Sequence, residues 1–138
     1  MLDRNSIISI DDRKTISIDI PEWGGNVLIR KWSGKDRAVF VAKSIKADNS
    51  GAEINWDTLY NNFALAVALS LCDENGDRLF TSEQADIDIL ASKDGAVIQK
   101  IYQEALVLNG LAKKSIEDAA KNFNAIQSEE SISGSQEN

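Results

Sequence analysis

The stretch W-D-T-L-Y-N-N-F-A-L-A-V-A-L-S-L-C-D-E-N-G-D-R-L-F, residues 56–80, decides how the rest of the chain is read. Trp56, Leu59, Tyr60, Phe63, Val67 and Leu71 recur at three- and four-residue steps, so they line one face of a helix. After Phe63 the opposite face is apolar as well, through Leu65, Ala66, Ala68 and Leu69. A helix apolar on every side has to be covered on every side. Two readings remain open here: a central core helix wrapped by its own chain, or a helix that also feeds an intermolecular interface. The helix is expected to end near Leu71 or Cys72. Asn75-Gly76, flanked by Leu71-Cys72 and Leu79-Phe80, then predicts a type I′ hairpin. Asp73, Asn75 and Asp77 have the spacing of calcium ligands, but Arg78 stands where a calcium loop needs glycine and Gln84 occupies the twelfth position. A plain turn is the reading adopted.

Upstream, T-I-S-I-D-I alternates polar and apolar, which places Ile16, Ile18 and Ile20 on one face of a strand. P-E-W-G-G follows, with Pro21 fixing its own backbone and two glycines free to take positive φ. N-V-L-I-R-K-W reads as the returning strand of a β-hairpin. A lone hairpin is marginal in water, so this one should dock on helices. Ser33-Gly34-Lys35-Asp36 has the spacing of a capping box that opens a helix to about Ala47, with Ala38, Val39, Val41, Ala42 and Ile45 apolar. Asn55 or Asp57 is a candidate cap for the central helix. Ile7, Ile8 and Ile10 fit a short strand within an otherwise flexible N-terminus, residues 1–14.

Downstream, Thr81-x-x-Gln84 predicts the start of a short helix to about Leu90, and Ser92 is a candidate cap for the next. That next helix carries Val97, Ile98, Ile101, Tyr102, Ala105, Leu106 and Leu108 as an apolar stripe. Asn109-Gly110 should stop it, with Leu111 packing back onto its last turn. Ser115-x-x-Asp118 opens a weaker helical pattern with Ile116, Ala119, Ala120 and Phe123. From Gln127 on the chain is polar and aperiodic, which reads as a disordered tail. The expectation is one helix-dominated α+β domain over residues 15–126. It would have an N-terminal β-hairpin packed on a small bundle of four to five helices, with a short second hairpin near residues 71–80.

Composition narrows function more than fold. The chain has 138 residues, 43% hydrophobic content and a net charge of −7. That charge repels a nucleic-acid backbone and an anionic membrane surface, since no basic cluster offsets it. No segment is apolar for long enough to span a bilayer, and the N-terminus lacks the apolar core of a signal peptide. There is no histidine, which removes the commonest general base and metal ligand together. Cys72 is the only cysteine, so neither an internal disulfide nor a multi-cysteine metal site can form. A buried thiol in a reducing cytoplasm is the simplest reading. P-loop, dinucleotide and zinc spacings are missing, so no cofactor is expected. Asp86 and Asp88 belong to a solvated helix side, with no neighbouring base to make them an acid–base pair.

The order of segments resembles a tail assembly chaperone family of long-tailed phages and prophages. The matching stretches are I-P-E-W-G-G-N-V-L-I-R-K-W-S-G at residues 20–34, A-L-S-L-C-D-E-N-G-D-R-L-F-T at residues 68–81, and I-Y-Q-E-A-L-V-L-N-G-L at residues 101–111. With their spacing they span residues 15–125. The resemblance implies a non-enzymatic factor of the host cytoplasm that binds the tape-measure protein, keeps it soluble while the tail tube assembles, and is absent from the mature virion. It further implies self-association and a second contact with the tail tube protein. The family has no short catalytic motif to carry over. The partner-binding candidates are therefore Trp23 in the hairpin loop and Phe63, Leu65, Val67 and Leu69 on the apolar helix. For the helix residues the competing role is core burial; for Trp23 it is docking onto its own domain. The rival from another class is a structural component of the tail or the head–tail connector, and a third is a small enzyme using carboxylates alone.

Overall fold

The computed structural model describes residues 1–48 and 56–111. The alternating run forms strand β1 (Thr15–Ile20), which pairs antiparallel with β2 (Gly25–Arg30) from Thr15↔Arg30 to Ile20↔Gly25. Ile18 and Ile20 point into the core while Ser17 and Asp19 face solvent, as the period of two requires. Pro21 opens a single 3-10 turn, Pro21–Trp23, whose end is closed by Gly24 at φ 76°. That left-handed geometry is open to glycine at no steric cost.

The helices follow the apolar periodicities, with corrections at their ends. Short helix α1 (Arg4–Ser9) stands where the isoleucines read as a strand. Asp3 caps it by accepting from the Ser6 N–H at 2.9 Å, a local bond that a strand would not use. Helix α2 (Gly34–Asp48) starts as expected, with Ser33 Oγ accepting from the Asp36 N–H at 3.1 Å. Its anchor, however, is Phe40, which the expected stripe leaves out; Ala38, Val39 and Ala42 are exposed. Helix α3 (Trp56–Ser70) is followed at once by β3 (Leu71–Cys72), which pairs with β2 and completes a three-stranded antiparallel sheet in the order β1-β2-β3.

The short second hairpin runs back from β3 through a bridge between Cys72 and Arg78. Its loop is not the predicted two-residue turn. Gly76 N–H donates to the Asp73 carbonyl and Asp73 N–H to the Asp77 carbonyl, while Gly76 takes φ 87°. That pattern fits a three-residue loop ending in a left-handed residue. Asp73 Oδ1 accepts from the N–H groups of Asn75 and Asp77, so the aspartate is spent on the turn itself.

Helix α4 (Gln84–Ala91) begins without the expected box. Thr81 instead donates through its N–H and hydroxyl to Asp86 Oδ2, which holds the Asp86 carboxyl below the usual range. Helix α5 (Gly95–Leu108) is capped by Asp94, not Ser92. It ends as predicted: Gly110 takes φ 70°, Gly110 N–H reaches the Val107 carbonyl, and Leu111 N–H reaches that of Leu106. Asn55, the pattern at 115–123 and the tail at 127–138 lie outside the described residues.

The core forms around the second half of α3. Every residue from Ala64 to Ser70 is buried, enclosed by α2, α4, α5 and the sheet. Ile18, Ile20 and Ile29 cover it from the sheet, Ile87 and Leu90 from α4, and Val97, Ile98, Ile101 and Ala105 from α5. Trp32 and Phe40 close one side, ring centroids 4.9 Å apart. Polar atoms in this core are matched. Trp32 Nε1 donates to Ser70 Oγ at 2.8 Å, and Ser70 Oγ donates to the Ala66 carbonyl. The Trp32 N–H donates to Asn109 Oδ1, and Asn109 Nδ2 donates to the Ala105 carbonyl. On the sheet's outer side Arg30 reaches the Gly76 carbonyl, the Arg13 carbonyl and Asp11 Oδ1. A Cβ at Gly76 would sit 2.9 Å from Arg30 Nη1.

Two measurements check these ties. Ser70→Ala leaves the buried indole N–H without an acceptor and should lower unfolding free energy by about 1–3 kcal/mol in urea titrations. Asp11 is held below the ordinary carboxylate range, first by the Arg30 hydrogen bond and then by the Arg13 N–H. A folded-state pKa that is depressed means the tie contributes fully above the ordinary carboxylate pKa. It is lost as pH falls through the lowered value. An NMR titration of the Asp11 carboxyl should show a low midpoint that returns toward normal in Arg30→Gln.

Candidate functional site

The hairpin loop projects Trp23 beyond the end of the strands, and the 3-10 turn fixes its direction. Trp23 remains 39% exposed, the largest side chain among the exposed hydrophobics of the described residues. It lines a cavity of about 270 Å³ together with Phe80, Leu90 and Lys93. Leu90 forms the buried floor from the last turn of α4. Phe80 comes from the segment after the second hairpin and is half-buried. Lys93 follows the α4 C-cap, its N–H bonded to the Leu90 carbonyl, so its backbone is held beside the floor. Lys100 of α5 donates to the Asp19 carbonyl at 2.8 Å and ties the base of the loop to the helical layer.

Three apolar residues and one lysine line this space. An apolar side chain can fill the space while a carboxylate near it meets Lys93. Cys72 does not compete for a chemical role. It is buried, and burial pushes its thiol up, which keeps it protonated. Asp86 is engaged by Thr81 and Asp88 accepts from Gln84 Nε2, so the two acidic residues each serve α4 itself.

The five partner-binding candidates separate. Leu65, Val67 and Leu69 are 1%, 0% and 4% exposed, inside the core and out of reach of a partner in this conformation. Phe63 is half-buried against Tyr102 with centroids 4.5 Å apart. Burial raises the Tyr102 pKa as well. Trp23 alone of the five offers a large accessible surface. Phe80, Leu90 and Lys93, which join it, escaped sequence reasoning because nothing in their spacing links residues 80, 90 and 93 to a loop at residue 23. No helix of the described residues is long and apolar enough to cross a membrane.

With the fold and the lining of this cavity described, the comparisons give the family. The phage tail assembly chaperone profile matches residues 10–122, and the chain belongs to that family. Among solved structures, the tail assembly chaperone of bacteriophage HK97 superposes with a TM-score of 0.54 at 18% identity, over 70% of this chain and 85% of that one. At that identity the likeness speaks for the fold. Among proteins of curated function, none matches the chain.

Trp23→Ala should leave the thermal midpoint close to that of the parent, because the side chain is only partly covered. Leu65→Ala should cost about 2–5 kcal/mol, since it opens a hole in the core. Paired denaturation curves read both, and a Trp23 variant as damaged as the Leu65 variant would make Trp23 a core residue.

Proposed function

We propose that this chain binds the tape-measure protein of its phage and keeps that protein soluble in the host cytoplasm while the tail tube assembles, then leaves before the virion is complete. The observation that carries the reading is the apolar cavity under Trp23, held open on a chain of the tail assembly chaperone family. A long apolar helical client needs a partner that covers hydrophobic side chains one site at a time. It also needs net charge to stay in solution, and −7 supplies it. Trp23, Phe80 and Leu90 take the client's apolar side chain and Lys93 an acidic neighbour. Phe63, at the edge of the core, is a secondary contact.

Binding that favours the free client over its aggregate needs no bond-making chemistry, so the protein works by mass action. A long client also calls for several copies, which favours self-association. Contact with the tail tube protein follows if release of the chaperone accompanies tube growth.

Co-expression with the tape-measure protein of the same genome is expected to raise the soluble yield of that protein, and Trp23→Ala to reduce the gain. An unchanged yield with the parent chain sinks the reading. Mass spectrometry of purified particles should find the chain in lysate and not in virions; abundant signal in virions would instead support a structural tail or connector component.

A further inference from the structure

We propose that Arg30 is a latch through which the N-terminal segment controls the Phe80 side of the Trp23 cavity. The proposal rests on the reading above of that cavity as the client site and adds how the site is regulated. Arg30 stands on β2, the middle strand, with its side chain part-buried on the sheet's outer side. It holds two separate segments at once. Nη2 donates to Asp11 Oδ1 at 3.0 Å and Nε to the Arg13 carbonyl at 3.4 Å, both on the tether between α1 and β1. Nη1 donates to the Gly76 carbonyl at 3.1 Å, in the loop of the second hairpin. Among the described residues no hydrogen bond joins the tether to that hairpin directly.

Coupling between the two grips follows from the arginine's own entropy. Fixing a long, rotamer-rich side chain is costly, and each further bond made by a side chain already fixed is cheaper. The bonds to the tether therefore prepare the guanidinium for Gly76. Without them the Gly76 bond has to meet the whole ordering cost alone. Gly76 suits this seat, because it puts no side chain between its backbone and Nη1.

The hairpin is lightly held elsewhere. β3 is two residues long, and the returning limb meets it through the Cys72–Arg78 bridge and the bond from the Leu79 N–H to the Leu71 carbonyl. Asp77, Arg78 and Leu79 are exposed. A segment with so few buried contacts opens locally at lower cost than the core. Phe80 comes next and lines the cavity. On its far side Thr81 is anchored to Asp86 in the first turn of α4, a tie that does not involve Arg30. On its near side Leu79 belongs to the hairpin that Arg30 closes. Two states are thereby defined. With Arg30 on both segments the hairpin is shut and Phe80 stays beside Trp23, Leu90 and Lys93. With the tether displaced the hairpin opens more often, Phe80 leaves the wall, and the grip on a client's apolar side chain weakens.

Amide hydrogen exchange followed by NMR on the full chain tests the latch, with rates corrected for intrinsic sequence effects. The Leu79 N–H reads opening of the hairpin, and the Val67 N–H, in the buried half of α3, reads global unfolding. In the parent, Leu79 should exchange at least about ten-fold faster than Val67, because its opening is local. Equal rates overturn the proposal. Asp11→Ala is expected to speed Leu79 exchange by about two- to ten-fold, a share of an arginine's rotamer entropy. In an Arg30→Gln background, itself faster than the parent, the same change should add nothing. An Asp11→Ala rate equal to the parent's, or the same acceleration in both backgrounds, overturns the latch. Phe80→Ala should also speed Leu79 exchange several-fold, since opening draws that side chain from the cavity. An unchanged rate there separates hairpin from cavity and overturns the proposal as well. No tape-measure protein is present in these assays, so their failure and a failed co-expression are separate results.

Discussion

From Ala64 onward helix α3 has no face left for water, and the rest of the structure answers that constraint. Alternating alanines at 64, 66 and 68 let neighbouring elements approach closely, while Leu65, Val67 and Leu69 fill the spaces between them. One helix layer cannot cover such a rod. The sheet covers one side and α4 and α5 the others, with Phe40 of α2 and Trp32, just before that helix, closing the gap. A change of even one methylene here is felt by every element at once.

Enclosure this complete makes polar groups expensive unless they are paired. Ser70 ends the helix inside the core and is satisfied at both ends, from Trp32 and to Ala66. Asn109 does the same where α5 stops beside the Trp32 backbone. These bonds join segments far apart in sequence, so they set the relative placement of sheet and helices. Outside the core, Arg30 performs a similar service for the N-terminal tether and the second hairpin.

Such a core leaves function to the margins. Leu65, Val67 and Leu69, which looked adhesive in sequence, are sealed inside, and the exposed apolar side chains are scattered over the margins, among them Trp23 on a tight loop and Ile7, Ile8 and Ile10 at α1.

Much of the architecture was legible along the chain because its causes are local. Alternation at residues 15–20, three- and four-residue steps from residue 56 and from residue 97, and Asn109-Gly110 each act within a few residues. Where local signals competed, reading failed: Thr81 bonds Asp86 instead of capping, Asp94 outranks Ser92, and the isoleucines at 7, 8 and 10 obey the Asp3 cap. Sequence alone therefore determined the α+β class, the hairpin, the order of helices after it and the need to cover the second half of α3. Only the tertiary structure decided which apolar residues remain outside and that Trp23 meets Phe80, Leu90 and Lys93. Burial is a property of what packs above a residue, and those neighbours arrive from distant parts of the chain.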